Sequence, residues 1–164
     1  MMDYQFNTAD LFFALPELFM IAAIALILLL DLFVSERFQN LTYYLTQSTL
    51  AITGYFAFNL IGESAVIFDG TFVLDTMGSY FKVFMMVFSI VALVYSRHYL
   101  RVHNLLKGEY FILSLLSVLG MMVMVSAHSM LTIYLGLEIM SLSLYTLIAI
   151  ARDRAVAVEA ALKY

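Results

Sequence analysis

The chain has no cysteine, which excludes disulfides, thiolate metal sites and cysteine nucleophiles and leaves its compartment unmarked by redox chemistry. It is also short of charge: Asp, Glu, Lys and Arg make up 12% of the 164 residues, against 64% hydrophobic ones, and the mean hydropathy is +0.97. Too few polar groups remain to coat a soluble globule, so the chain reads as an integral membrane protein. Its single proline, Pro16, falls in the first turns of an apolar run, where a missing amide hydrogen is cheap. No basic region and no small-residue cleavage site precede that run, so it reads as a retained helix and not a signal peptide. Nothing resembles a P-loop, a dinucleotide fingerprint or a haem or iron–sulfur motif.

Hydrophobic segments of membrane-crossing length organise the chain as an all-α, polytopic transmembrane helix bundle. They run from about Leu11 to Val34, Leu41 to Gly62, Thr76 to Tyr95, Tyr110 to Val125 and Ser129 to Ala151. A sixth apolar run, AVAVEAALKY, follows Arg152-Asp153-Arg154 but is too short to cross a bilayer, so the chain is expected to be the N-terminal piece of a longer protein. Between the second and third spans, Ala65 to Phe68 and Thr71 to Leu74 flank Asp69-Gly70, the dipeptide favoured in two-residue hairpin turns; a short extramembrane β-hairpin is predicted there. The link Ser126-Ala127-His128 is so short that the helices on either side must be adjacent and antiparallel.

Charge placement sets the topology. Arg37, Arg97, Arg101, Lys107, Arg152 and Arg154 all lie in alternate connections, which the positive-inside rule makes cytoplasmic, or matrix-facing in a mitochondrion. The N-terminus and the hairpin are then outside. Glu17 and Asp31, near the ends of the first span, read as interface residues. Lys82 has two readings from sequence: its stem snorkels to the outer surface, or it partners a buried carboxylate. Lys163 follows Glu159 by one helical turn, in the favourable order for a local pair.

Glu138 stands apart. It sits roughly 13 Å of helix from Ser129, close to the bilayer midplane. A bare carboxylate there costs about 2.5–3.5 kcal/mol on insertion scales, so it should face protein or water and can carry a proton. Tyr134, Glu138, Ser141 and Tyr145 are spaced by four, three and four residues and share one helical face, which continues to Arg152. The Met121-Met122-Val123-Met124 run reads as adaptable packing. His98, His103 and His128 share no ligand spacing, so no metal is inferred. Gly120 and Gly136 can allow close helix approach, without a GxxxG pattern to support it.

The segment LGLEIMSLSLYTLIAIARDRAVAVEAALKY resembles the subunit N family of bacterial NADH–quinone oxidoreductase, respiratory complex I; its mitochondrial counterpart is NADH dehydrogenase subunit two. The likeness covers essentially the whole chain and is sharpest from Leu135 to Tyr164. It implies an antiporter-like subunit in which residues 1–108 supply three leading helices with the outer hairpin and a basic loop, and residues 109–164 begin the first antiporter-like repeat. It further implies that Glu138, Lys163 and Glu159 serve proton translocation; Tyr134, Ser141 and Tyr145, from their shared face with Glu138, and Lys82, as a charge within a span, are candidate supporting residues. No cofactor would be bound by this chain; NADH, quinone, FMN and iron–sulfur clusters would belong to other subunits. The implied partners are neighbouring membrane subunits and the lipid bilayer, in a bacterial inner membrane or alternatively a mitochondrial one. An Mrp-type cation/proton antiporter subunit is the alternative function.

Overall fold

In the computed structural model, residues 8–33, 39–103 and 107–150 are described. Lys163, Glu159 and the sixth apolar run lie outside them. Pro16 has no amide hydrogen for the carbonyl one turn before it, and the first apolar run divides at that point into α1 (Thr8–Phe13) and α2 (Leu15–Phe33), meeting at Ala14. The single span expected from Leu11 is corrected accordingly.

Helix α3 (Gln39–Asn59) is more polar than its neighbours, and it satisfies its hydroxyls internally. Thr46, Thr49 and Thr53 donate to the carbonyls of Thr42, Leu45 and Thr49 at 2.8, 2.9 and 2.8 Å. Helix α4 (Thr76–Val102) starts at an Asp75 cap, whose carboxylate accepts from the Gly78 amide at 2.9 Å. It runs about two turns beyond the expected end at Tyr95 and carries Arg97 and Arg101 in its last turns. Its length, about 40 Å, exceeds the ~30 Å hydrocarbon layer, so those turns can stand in the headgroup region where charge is tolerated. Helices α5 (Gly108–Val125) and α6 (Met130–Ile148) complete the bundle. Helices α2, α4, α5 and α6 are long and apolar enough to cross a membrane; α3 is long enough but less apolar.

The predicted hairpin is present, with β1 (Ala65–Ile67) antiparallel to β2 (Phe72–Leu74) and Ile67 opposite Phe72. That register leaves a four-residue loop, not the expected two-residue turn, because Phe68 and Asp69 leave the strand conformation with φ of 51° and 55° ahead of Gly70 at 78°. The hairpin is also tied to the α5–α6 link. The Val73 amide donates to the Ser126 carbonyl at 2.8 Å and the His128 amide to the Thr71 carbonyl at 3.0 Å, while Phe72 bridges Ala127.

Helix α5 is the axis of the core. Phe111, Leu115, Val118 and Met122, at helical spacing, meet Met20, Ile24 and Ile27 of α2, Tyr43 and Leu50 of α3, and Met86 and Leu93 of α4. On its other side it packs on α6 through Gly120 and Gly136. A Cβ on Gly120 would come within 2.6 Å of the Met140 nitrogen, and one on Gly136 within 2.9 Å of the Gly120 carbonyl oxygen. Backbones that close admit only glycine at these two positions.

Candidate functional site

The α6 stripe forms as its spacing requires. Glu138 lies near the middle of α6, half-buried, with the Tyr134 phenol one turn earlier beside its carboxylate. Ser141 bonds back to the Glu138 carbonyl at 3.3 Å. Gly136 and Ser143 are the buried positions of α6 and face α5, whereas Tyr134 is 60% exposed and Tyr145 lies open as well. The stripe therefore turns away from the other described helices. No ion pair joins Glu138 to a cation among the described residues. A half-buried carboxylate with no cation beside it among the described residues is left open on that face to water or to a further helix.

A second charged site lies at the hairpin end of the bundle. Lys82 Nζ sits 2.6 Å from Glu17 Oε1, and the two side chains are 1% and 6% exposed. Lys82 does not snorkel: its ammonium is closed in by the Phe72 ring, 5.2 Å from the centroid. The expectation that Glu17 is an interface residue is corrected too, because the break at Pro16 turns it into the bundle, where it is 5% exposed. Beyond the ion pair, neither carboxylate oxygen nor the ammonium has a hydrogen bond among the described residues. The Ser79 and Ser126 hydroxyls are likewise buried without partners. Lys82 and Glu138 are not brought together.

The opposite end of the bundle holds a weaker arrangement. Asp31 accepts a hydrogen bond from Thr42 at 2.8 Å, and its carboxylate rests against Gly108 at the N-terminus of α5. An anion is favoured there by the helix dipole. Arg97 stacks on Tyr43, 4.2 Å from the ring centroid, and donates to Asn40 at 2.8 Å. No group of three His, Asp or Glu side chains is placed to hold a metal among the described residues.

The chain is thus an apolar bundle of membrane-crossing helices with isolated charges inside it. Residues 127–164 match the family described as NADH:quinone oxidoreductase/Mrp antiporter, transmembrane. Over 161 residues, 98% of the chain, it is 64% identical to NADH-quinone oxidoreductase subunit N of Ruthia magnifica subsp. Calyptogena magnifica, and 43% identical to the subunit N of Alkalilimnicola ehrlichii. The chain spans 33% of the length of each of these relatives. Its fold is shared with a chain of respiratory complex I from Thermus thermophilus with bound Aureothin, at a TM-score of 0.75 and 21% identity, covering 91% of this chain and 32% of that one. The chain belongs to the NADH-quinone oxidoreductase subunit N family of bacterial membrane proteins.

Proposed function

We propose that this chain is part of a proton-translocating subunit of membrane-bound NADH–quinone oxidoreductase and that Glu138 is one of the groups through which protons pass. The observation that carries this reading is the Glu138 carboxylate itself: near the middle of an apolar helix, beside the Tyr134 phenol, on a stripe open to further structure, and inside the segment that matches the transporter family. Lys163, with Glu159 one helical turn before it, follows Arg152-Asp153-Arg154 within the next apolar run and is a natural successor in the path. A carboxylate near a lysine favours the protonated amine, and separating the two releases that proton, so opening and closing such pairs moves charge along the membrane. Tyr134, Ser141 and Tyr145 supply hydroxyls along the stripe.

In this reading residues 1–108 form the leading helices and residues 109–164 open the first antiporter-like repeat. The partners are the other membrane subunits of the complex, and the chemistry of NADH, quinone, FMN and iron–sulfur centres takes place in other subunits, so this chain serves a translocase without a redox site of its own. The membrane is the bacterial inner membrane, with the N-terminus and hairpin outside. An Mrp-type antiporter is the second reading, favoured by the wording of the matched family, while the full-length relatives favour the oxidoreductase.

The test uses the assembled complex in membrane vesicles. Glu138→Ala should lower proton uptake per NADH oxidised by about an order of magnitude, the range of a lost acid–base group, with Glu138→Asp milder. Unchanged uptake in an assembled alanine variant overturns the role. Topology is read separately on this cysteine-free chain: a cysteine at Asp69 should react with an impermeant thiol reagent from outside, and one at Lys107 should not.

A further inference from the structure

The Glu17–Lys82 pair is built unlike a simple structural lock. Four polar groups of α2, α4 and the end of α5 are buried at the hairpin end: Glu17 is 5% exposed, Lys82 and Ser79 1%, and Ser126 2%. Ser79 precedes Lys82 by one turn on α4, and Ser126 follows Val125, which packs against Gly78 on the same turn as Ser79. A carboxylate can accept about four hydrogen bonds and an ammonium can donate three, yet among the described residues this pair has one polar contact, the ion pair itself, and the two hydroxyls have none. Buried polar groups left over by the protein are normally served by internal water, which bridges two to four of them. The cover over this site is the Phe72 ring, which is buried in a small apolar cluster with Ala14 and Ile67. Phe72 lies on the ammonium, and the backbone behind it is held by the two hydrogen bonds between the hairpin and the α5–α6 link.

We propose that Glu17, Lys82, Ser79 and Ser126 form a water-binding proton site at the hairpin end of the bundle, with Phe72 as its cover. The inference rests on the translocation reading and adds a station that Glu138 does not supply. The step balances without a further reagent. The Lys82 ammonium passes a proton to Glu17, leaving an amine and a carboxylic acid. Glu17 then gives that proton to a water held by the serine hydroxyls, and it leaves as hydronium when Phe72 swings aside. The amine is recharged by a proton arriving through water from within the bundle. The transfer carries the pair through a neutral state, which a desolvated site favours over two separated charges.

The experiment uses the full complex in membrane vesicles, with Glu138→Ala as the reference. The double variant Glu17→Gln/Lys82→Met removes both charges together, so a purely structural pair should tolerate it. The expected result is normal assembly and NADH oxidation with proton uptake per NADH reduced about twofold or more, since one station of a proton path is lost. Uptake equal to the parent in the double variant, while Glu138→Ala is defective, overturns the proposal and leaves the role of Glu138 standing. A second measurement covers failure of the double variant to assemble. With Ser126→Cys as the only cysteine of this chain, labelling by a small thiol reagent from the hairpin side should rise about tenfold when Phe72→Ala is added, as a shifted opening equilibrium requires. Equal labelling with and without Phe72 overturns the proposal.

Discussion

Glu17 and Glu138 are both carboxylates set in apolar helices, and the fold treats them oppositely. Glu17 is closed in against an ammonium 2.6 Å away, under an aromatic ring, with helices α2 and α4 and the hairpin all committed to the arrangement. Glu138 has a tyrosine of its own helix beside it and lies on the stripe that turns away from the other described helices. Removing one member of the closed pair strands the other inside the bundle, whereas Glu138 has no cation beside it among the described residues. The difference predicts that substitutions at the two sites damage different properties.

The largest effect belongs to the closed pair. Replacing Glu17 by Ala or Lys82 by Met leaves its partner buried and uncompensated, a loss of about 3–5 kcal/mol in comparable cases. The amount of assembled complex recovered from membranes should fall sharply for either single variant. Glu138→Ala should assemble close to the parental level, because no packing partner depends on its charge. Equal assembly defects at the two glutamates would erase the distinction.

A middle-sized effect separates the two sites physically. The helix that carries Glu138 is held by the glycine contact with α5, so Gly136→Ala places a methyl group within 2.9 Å of the Gly120 carbonyl oxygen and the Met124 nitrogen. Overpacking of this kind costs about 1–3 kcal/mol and should lower the melting temperature of the solubilised complex. The Glu17–Lys82 site lies on the other side of α5. A cysteine at Ser79 should therefore stay as protected from thiol reagents as in the parent; increased labelling would mean that the two sites share one packing unit.

Much of this was legible before the structure. Hydropathy placed the long helices and Asp69-Gly70 the hairpin, because both signals are local. The spacing of Tyr134, Glu138, Ser141 and Tyr145 gave their shared face for the same reason. The hairpin loop came out longer than expected because Phe68 takes a left-handed conformation, a choice made by the register of Ile67 on Phe72 and not by the turn dipeptide. The apolar span from Thr76 to Tyr95 says where α4 leaves the apolar layer and not where the helix stops, so its continuation to Val102 is not legible from hydropathy. Glu17 and Lys82 were each weighed within their own span, and nothing in either span names the other. Their pairing depends on how α2 packs beside α4, and on the helix break at Pro16, whose only local sign was the proline.

The smallest effect comes from Asp31, the acid at the other end of the helix that carries Glu17. Its carboxylate is neutralised by no cation among the described residues; it accepts from the Thr42 hydroxyl at 2.8 Å and rests against Gly108, where α5 begins. Lys107, the cap residue of α5, makes no side-chain cap hydrogen bond, so Asp31 brings the negative charge to that terminus from across the bundle. Asp31→Asn keeps an acceptor for Thr42 and removes the charge, isolating the dipole contribution of about 0.3–1 kcal/mol. Asp31→Ala removes the hydrogen bond as well and should cost about 1 kcal/mol more. The thermal stability of the solubilised complex should fall slightly in the first variant and further in the second, with proton uptake per NADH unchanged in both. Reduced uptake in Asp31→Asn would place this acid with Glu138 and Glu17 among the groups that serve proton movement.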